Sequence, residues 1–317
     1  DYENLDDIEF AYCTEFFIIN LKKKTTVSDI DKLREKFNNI GDSTLVIGDL
    51  SLVKVHVHTN NPGTALSYAL QLGEVDKIKI ENMLEQNREL KAKYEAERKN
   101  IGILTICSGE GMASIFKDLG VDRVVEGGQT MNPSTEDVLG AIAKVPAKTV
   151  FVLPNNKNII LAANQAASLC EDKEVIVLPT KTIPQGITAL INFIPEQSAK
   201  ENEDRMIEEL SNVKTGQVTY AVRDTVIDDK EIHEGDYMGI GDAGILAVNT
   251  DIQTVFLDMI AEMVDEDSAI VSIYYGADVT EEDAEALAAA VGEKFADLEV
   301  ELQMGGQPVY YYIASVE

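Results

Sequence analysis

The chain has 317 residues, 45% hydrophobic and 26% charged, the balance of a water-exposed globular protein with room for two or three domains. Its 27 Lys and Arg stand against 56 Asp and Glu, a net charge of −29; such a surface repels phosphate backbones and anionic membranes, which argues against nucleic acid and lipid surfaces as partners. No apolar run approaches the roughly 20 residues that a membrane-spanning helix needs.

The opening Asp1-Tyr2-Glu3-Asn4 is acidic, lacks an initiator Met and begins no signal peptide, so a piece of a longer protein is expected. Residues 9–20 contain a β-branched and aromatic run that reads as a strand. Ser28, with Asp31 three residues on, offers an N-cap for a helix over 29–38. Two strands, 45–47 and 52–58, are joined by a short turn at Gly48-Asp49. Pro62-Gly63 opens a helix over 63–72, and 75–80 returns as a strand. This βαββαβ order predicts a ferredoxin-like α+β domain. Residues 81–99, free of Pro and Gly and filled with strong helix formers, read as a connecting helix.

From 101 onward continuous apolar strands alternate with helices: 101–106, 123–126, 149–153 and 174–177 as strands, 111–119, 134–143 and 157–168 as helices. That pattern predicts a parallel sheet covered on both faces. After about 216 the style changes. Residues 217–227, 236–240 and 245–248, separated by tight polar turns, predict an antiparallel meander. A helix over 251–264, a strand over 268–274, a helix over 280–294 and strands over 298–303 and 308–316 complete a second α/β lobe. The expected division is therefore 1–99 and 100–317, with lobes of about 100–195 and 196–317.

Charge follows the same division. Residues 1–100 carry 14 basic and 18 acidic side chains. The remainder carries a net of −25, a surface that would attract a basic protein partner. Three cysteines, Cys13, Cys107 and Cys170, do not make a disulfide framework, and a reducing cytoplasm is expected.

Two of the three histidines lie in Val55-His56-Val57-His58. Residues two apart in a strand share a face, so His56 and His58 point one way and the valines the other. In a ferredoxin-like sheet the first and third strands are antiparallel neighbours, which brings Cys13 opposite the pair. One thiolate and two imidazoles suit Zn²⁺. Glu15, on the face of Cys13, or a water would complete the set. The bland alternative is two ordinary strand histidines and a structural cysteine.

Other features read as decoys. Gly239-Ile-Gly-Asp-Ala-Gly244 fits G-x-G-x-x-G, but a strand rather than a helix follows, so a hairpin turn is expected at 241–244. Cys107-Ser-Gly-Glu-Gly111 and Asn155-Asn-Lys-Asn158 sit at strand-to-helix junctions, where exposed amides can hold a carboxylate or phosphate. Cys107 has no histidine nearby in sequence to activate it, and His233 reads as an exposed strand or turn residue.

The strings FAYCTEFF (10–17) and LVKVHVHTNNPG (52–63) closely resemble the middle domain of bacterial fatty acid kinase subunits, which also carry a DAK2-type (dihydroxyacetone kinase-like) ATP-binding domain. QTMNPSTEDVL (129–139), IYYGADV (273–279) and GGQPVYYYI (305–313) are similar to the C-terminal domain of that family, itself similar to the two-lobed, fatty-acid-binding DegV proteins. The resemblance implies zinc on Cys13, His56 and His58. It also implies a homodimer through the middle domain and a C-terminal domain that docks a DegV-like fatty-acid-binding protein. ATP and Mg²⁺ would belong to an N-terminal domain absent from this sequence, which would phosphorylate the fatty acid to acyl phosphate for phospholipid synthesis. These residues alone are then expected to be non-catalytic. Where DegV relatives grip the carboxylate with Ser/Thr-Gly loops and a Thr-Ser string, this chain has Gln129-Thr-Met-Asn132 and Asn155-Asn156. A lipid-binding protein holding an acyl chain between the C-terminal lobes is the alternative.

Overall fold

The computed structural model describes residues 8–128, 130–227 and 229–317; the opening at 1–4, and Gln129 within the carboxylate comparison, lie outside them. The chain divides into two compact units, the first ending at Glu97 and the second Arg98–Glu317. The architecture is mixed α/β.

The first unit runs β1 (Tyr12–Ile19), α1 (Val27–Asn38), β2 (Gly41–Gly48), β3 (Val53–Thr59), α2 (Pro62–Leu72), β4 (Glu74–Asn82) and α3 (Met83–Glu97). Its strands are ordered β2-β3-β1-β4, every neighbouring pair antiparallel, as the βαββαβ reading requires. Strand periodicity fixes the faces. Phe16, Ile18, Val53, Val55 and Val57 pack with Ile30, Leu33 and Phe37 of α1 and Ala65 and Ala69 of α2. Each fully buried large side chain of this set contributes about 1.5–3 kcal/mol. The alternate residues of β1 and β3 face away from those helices, and they carry the cysteine and both histidines.

In the second unit, β5 (Lys99–Cys107), α4 (Glu110–Asp118), β6 (Arg123–Glu126), α5 (Thr135–Ala143), β7 (Ala147–Leu153), α6 (Ile160–Leu169) and β8 (Glu174–Val177) build a parallel sheet ordered β6-β5-β7-β8. Burial on both faces explains the unbroken apolar strands. Phe151 and Leu153 enter one core with Met112 and Phe116. Val150 and Val152 enter the opposite one with Val138, Ile142 and Ala163. Helices α7 (Ile183–Ile191) and α8 (Ala199–Glu209) follow.

The remaining elements are β9 (Lys214–Tyr220), β10 (Thr225–Ile227), β11 (Lys230–Ile232), β12 (Tyr237–Ile240), β13 (Ile245–Asn249), α9 (Ile252–Met263), β14 (Ile270–Tyr275), α10 (Glu281–Lys294), β15 (Glu299–Met304) and β16 (Tyr312–Val316). Six of these strands form a sheet ordered β13-β12-β9-β16-β14-β15, antiparallel except for the β14–β15 pair. Tyr274 and Ile313 of this sheet share a core with Phe151 and Leu190, so the two sheets are packed through common side chains.

Several expected details differ. The cap of α1 is Thr26, not Ser28: Asp29 Oδ2 accepts from the Thr26 amide (2.9 Å) and hydroxyl (2.8 Å), which starts the helix two residues earlier. The expected strand 217–227 is two strands. β9 ends at Tyr220, and β10 pairs only with β11 in a separate hairpin. The strand expected over 308–316 begins at Tyr312. Helices α7 and α8 were not anticipated.

Candidate metal centre

The register of the first sheet assembles the site row by row. Cys13 on β1 is paired with His58 on β3, and His58 in turn with Asp42 on β2. In the next row Glu15 is paired with His56, and His56 with Leu45. On its other side β1 sets Glu81 beside Cys13 and Lys79 beside Glu15. A β-strand pleat sends all these side chains to one face.

The ligand atoms of Cys13, His56 and His58 lie within 4.8 Å of one another. Cys13 Sγ is 4.0 Å from His56 Nδ1, and the imidazole centroids are 4.9 Å apart. Bond lengths to tetrahedral Zn²⁺ place its ligand atoms about 3.3–3.6 Å apart, so small side-chain rotations close the set around an ion. All three residues are half-buried, and one thiol with two imidazoles is a donor set of mixed softness that suits such an ion. The residues present therefore fit a divalent metal. Glu15 and Asp42 fall outside the group of mutually close ligand atoms, although each touches one imidazole: Glu15 Oε1 is 2.8 Å from His56 Nδ1, and Asp42 Oδ1 is 3.4 Å from His58 Nδ1.

Partial burial raises the Cys13 thiol pKa, and the carboxylates of Glu15 and Glu81 raise it further. A coordinated cation reverses that balance, since a metal-bound thiol is deprotonated. The hydrogen bond from His56 lowers the Glu15 pKa, which keeps its carboxyl ionised.

Asp42 carried no signal in the sequence, because the strand expected at 45–47 leaves it in a loop. β2 in fact begins at Gly41 and shifts register between Asp42 and Leu45, where Ser43 takes φ +49°. Such an irregularity re-aims a side chain, and here it turns Asp42 toward His58. Gly41 is required beside it: a Cβ there would meet the carbonyl of His58.

The second unit contains a cleft of about 450 Å³ at the C-terminal ends of its parallel strands, walled by Ser108, Asn156, Lys157 and Lys181 on one side and Gln217 and Gln307 on the other. This is where doubly wound folds bind ligands. Behind Ser108 the 107–111 junction packs against the 304–307 segment: Met112 donates to the Gly305 carbonyl (2.8 Å), and a Cβ at Gly109 or Gly111 would strike that segment. Asn155 is buried and lines the cleft. Its side-chain amide donates to Thr105 Oγ1 (2.8 Å) and to the Ile106 carbonyl (3.0 Å). Burial pushes the Cys107 thiol up to about 12, so it is no nucleophile at neutral pH. Gly241 donates to the Gly244 carbonyl (2.8 Å) between β12 and β13, the hairpin turn expected there. His233 is an exposed turn residue.

Among the described residues no helix is long and apolar enough to cross a membrane. The family model for the C-terminal domain of FakA-like fatty acid kinase proteins matches residues 102–317, and the model for their middle domain matches residues 9–90. Protein YloV of Bacillus subtilis is 47% identical over 322 residues, covering 99% of this chain and 58% of YloV; the chain thus spans little more than half the length of that relative. In fold the chain is similar to the DegV family protein Cg2579 of Corynebacterium glutamicum, with a TM-score of 0.51 and 14% identity over 68% of this chain and 96% of that one. It is also similar to a DegV family protein of Ruminococcus gnavus solved with vaccenic acid, with a TM-score of 0.50 and 13% identity over 69% of this chain and 99% of that one.

Proposed function

The chain belongs to the FakA-like family of fatty acid kinase proteins, and on that footing we propose that residues 8–317 are its zinc-bearing docking and dimerisation part rather than its catalytic part. Cys13, His56 and His58 hold Zn²⁺, which ties β1 to β3. The first unit joins two copies of the chain. The second unit, with its large acidic excess, receives a DegV-like fatty-acid-binding protein. The fatty acid carried by that partner is phosphorylated to acyl phosphate by an ATP- and Mg²⁺-binding domain elsewhere in the full-length protein. The three free thiols suit a reducing cytoplasm.

The observation that carries this reading is the convergence of one thiol and two imidazoles on one sheet face, within a chain matched by the family's middle and C-terminal regions. A phosphorylation assay tests it. A full-length relative is given ATP, fatty acid and the binding protein, and this chain is added as competitor. Competitive inhibition, with no acyl phosphate formed by the chain alone, is the expected result. Absence of inhibition, or turnover by the chain itself, counts against the reading.

The 450 Å³ cleft favours a second reading, in which the second unit itself holds an acyl chain between its sheets. Against it stands the close packing of Gly109 and Gly111 on the 304–307 segment, which narrows the strand-to-helix junction.

A further inference from the structure

We propose that the cleft of the second unit binds a small phosphorylated polyol, a sugar phosphate in its simplest form. Lys157 and Lys181 hold the phosphate, and hydroxyls of the ligand donate to Asn155 and Gln307. The site is separate from the metal centre, and its chemistry differs from that of a pocket for an acyl chain.

Two buried oxygens call for donors. Asn155 and Gln307 are 6% and 4% exposed. Both line the cleft, Asn155 from beyond the end of β7 and Gln307 from the segment between β15 and β16. In each the amide nitrogen is already committed, that of Asn155 to Thr105 Oγ1 and the Ile106 carbonyl, that of Gln307 to the Tyr274 carbonyl (2.9 Å). A backbone carbonyl only accepts, so neither amide can be turned over. Asn155 Oδ1 and Gln307 Oε1 are left without a hydrogen-bond partner among the described residues. Buried acceptors are almost always paired, and a ligand with O–H groups pairs these. Glycine keeps room beside each oxygen: a Cβ at Gly186 would strike Asn155 Oδ1, and one at Gly305 would strike Gln307 Oε1. A fatty acid cannot serve, because an ionised carboxylate only accepts and the chain carries no donor.

The charge of the ligand follows from the rim. Lys157 and Lys181 are exposed at the β7–α6 and β8–α7 junctions, and neither has a carboxylate partner among the described residues. In a chain with 56 acidic side chains, two such ammonium groups at one cleft draw an anion. Two of them match a phosphate monoester, close to a dianion at neutral pH, better than the single charge of a carboxylate. Ser108, at the β5–α4 junction, adds a hydroxyl to the lining. Asp242 also lines the cleft; its Oδ2 accepts from the Thr215 amide (3.1 Å), and its charge favours an anion placed at the lysines instead. A volume of about 450 Å³ is ample for a ligand of this size.

Isothermal titration calorimetry with four probes tests the site: ribose 5-phosphate, ribose, inorganic phosphate and palmitate. One ribose 5-phosphate per chain is expected, bound at least about tenfold more tightly than ribose or inorganic phosphate, with no binding of palmitate. Lys157→Ala, a change at an exposed position, is expected to weaken ribose 5-phosphate by about 10–100-fold without moving the melting temperature. Gln307→Met is expected to weaken ribose 5-phosphate while leaving the weaker binding of inorganic phosphate as it was, since only the acceptor for a hydroxyl is lost. Failure of ribose 5-phosphate to bind, or equal affinities for it and inorganic phosphate, overturns the assignment. Binding of palmitate in its place does so too, and favours the acyl-chain reading.

Discussion

Cys13 and His58 face each other as a directly registered pair across β1 and β3, and His56 stands two residues away on the same face. Sulfur and both imidazoles are thus set by backbone hydrogen bonding rather than by a flexible loop. The site is only as exact as the strand register, and a one-residue slip would turn the thiol into the core.

Gly41 tests that dependence. The β2 backbone passes so close to the His58 carbonyl that no side chain fits. Gly41→Ala is expected to cost about 1–3 kcal/mol, the range for overpacking, and to loosen the contact between Asp42 and His58. Denaturant midpoints and Zn²⁺ affinity of the variant check both effects.

Acid should weaken a different set of contacts. The Asp137 carboxylate accepts from the amide and hydroxyl of Ser134 and the Glu201 carboxylate from those of Ser198, and these bonds lower both pKa values from the ordinary 3.8 and 4.5. A carboxyl depressed on folding stabilises the fold above its unfolded pKa and loses that contribution as pH falls through the folded value. The double variant Asp137→Asn, Glu201→Gln is therefore expected to melt below wild type at neutral pH. The gap should close on acidification below about pH 3.8. Paired thermal melts across that range decide; a pH-independent gap contradicts it.

The cleft makes a prediction about cargo. With Met112 bonded to Gly305 and the backbone at Gly109 and Gly111 packed on the 304–307 segment, mass spectrometry of organic extracts is expected to find no stoichiometric fatty acid. One fatty acid per chain would favour the acyl-binding alternative.

Docking should be sensitive to salt. The net of −25 beyond residue 100 draws a basic partner face, and the Debye length shrinks from about 10 Å to about 3 Å between 0.1 and 1 M salt. Affinity for a DegV-like protein is expected to fall across that range. A salt-independent affinity would place the energy of association in apolar contacts instead.

Much of this was legible in the sequence, for physical reasons. A period of two put His56 and His58 on one face, and the βαββαβ order made β1 the neighbour of β3, which delivered Cys13. Asp42 was illegible because it depends on the irregularity at Ser43, and periodicity carries no information about irregularities. Helix α7 is nine residues of Pro, Gly and β-branched side chains among others, poor formers held by packing rather than propensity. Helix α8 does carry a sign of its start, Ser198 followed by Glu201, the spacing of a capping box. The break after Tyr220 was hidden because the chain leaves one sheet and at once begins another hairpin of similar composition.

The metal claim is tested most directly by elemental analysis of protein purified without chelator, comparing wild type with Cys13→Ser. About one Zn²⁺ per chain in the first and a fall toward none in the second is the predicted result. Metal-free wild type, or undiminished zinc after loss of the thiol, would contradict it.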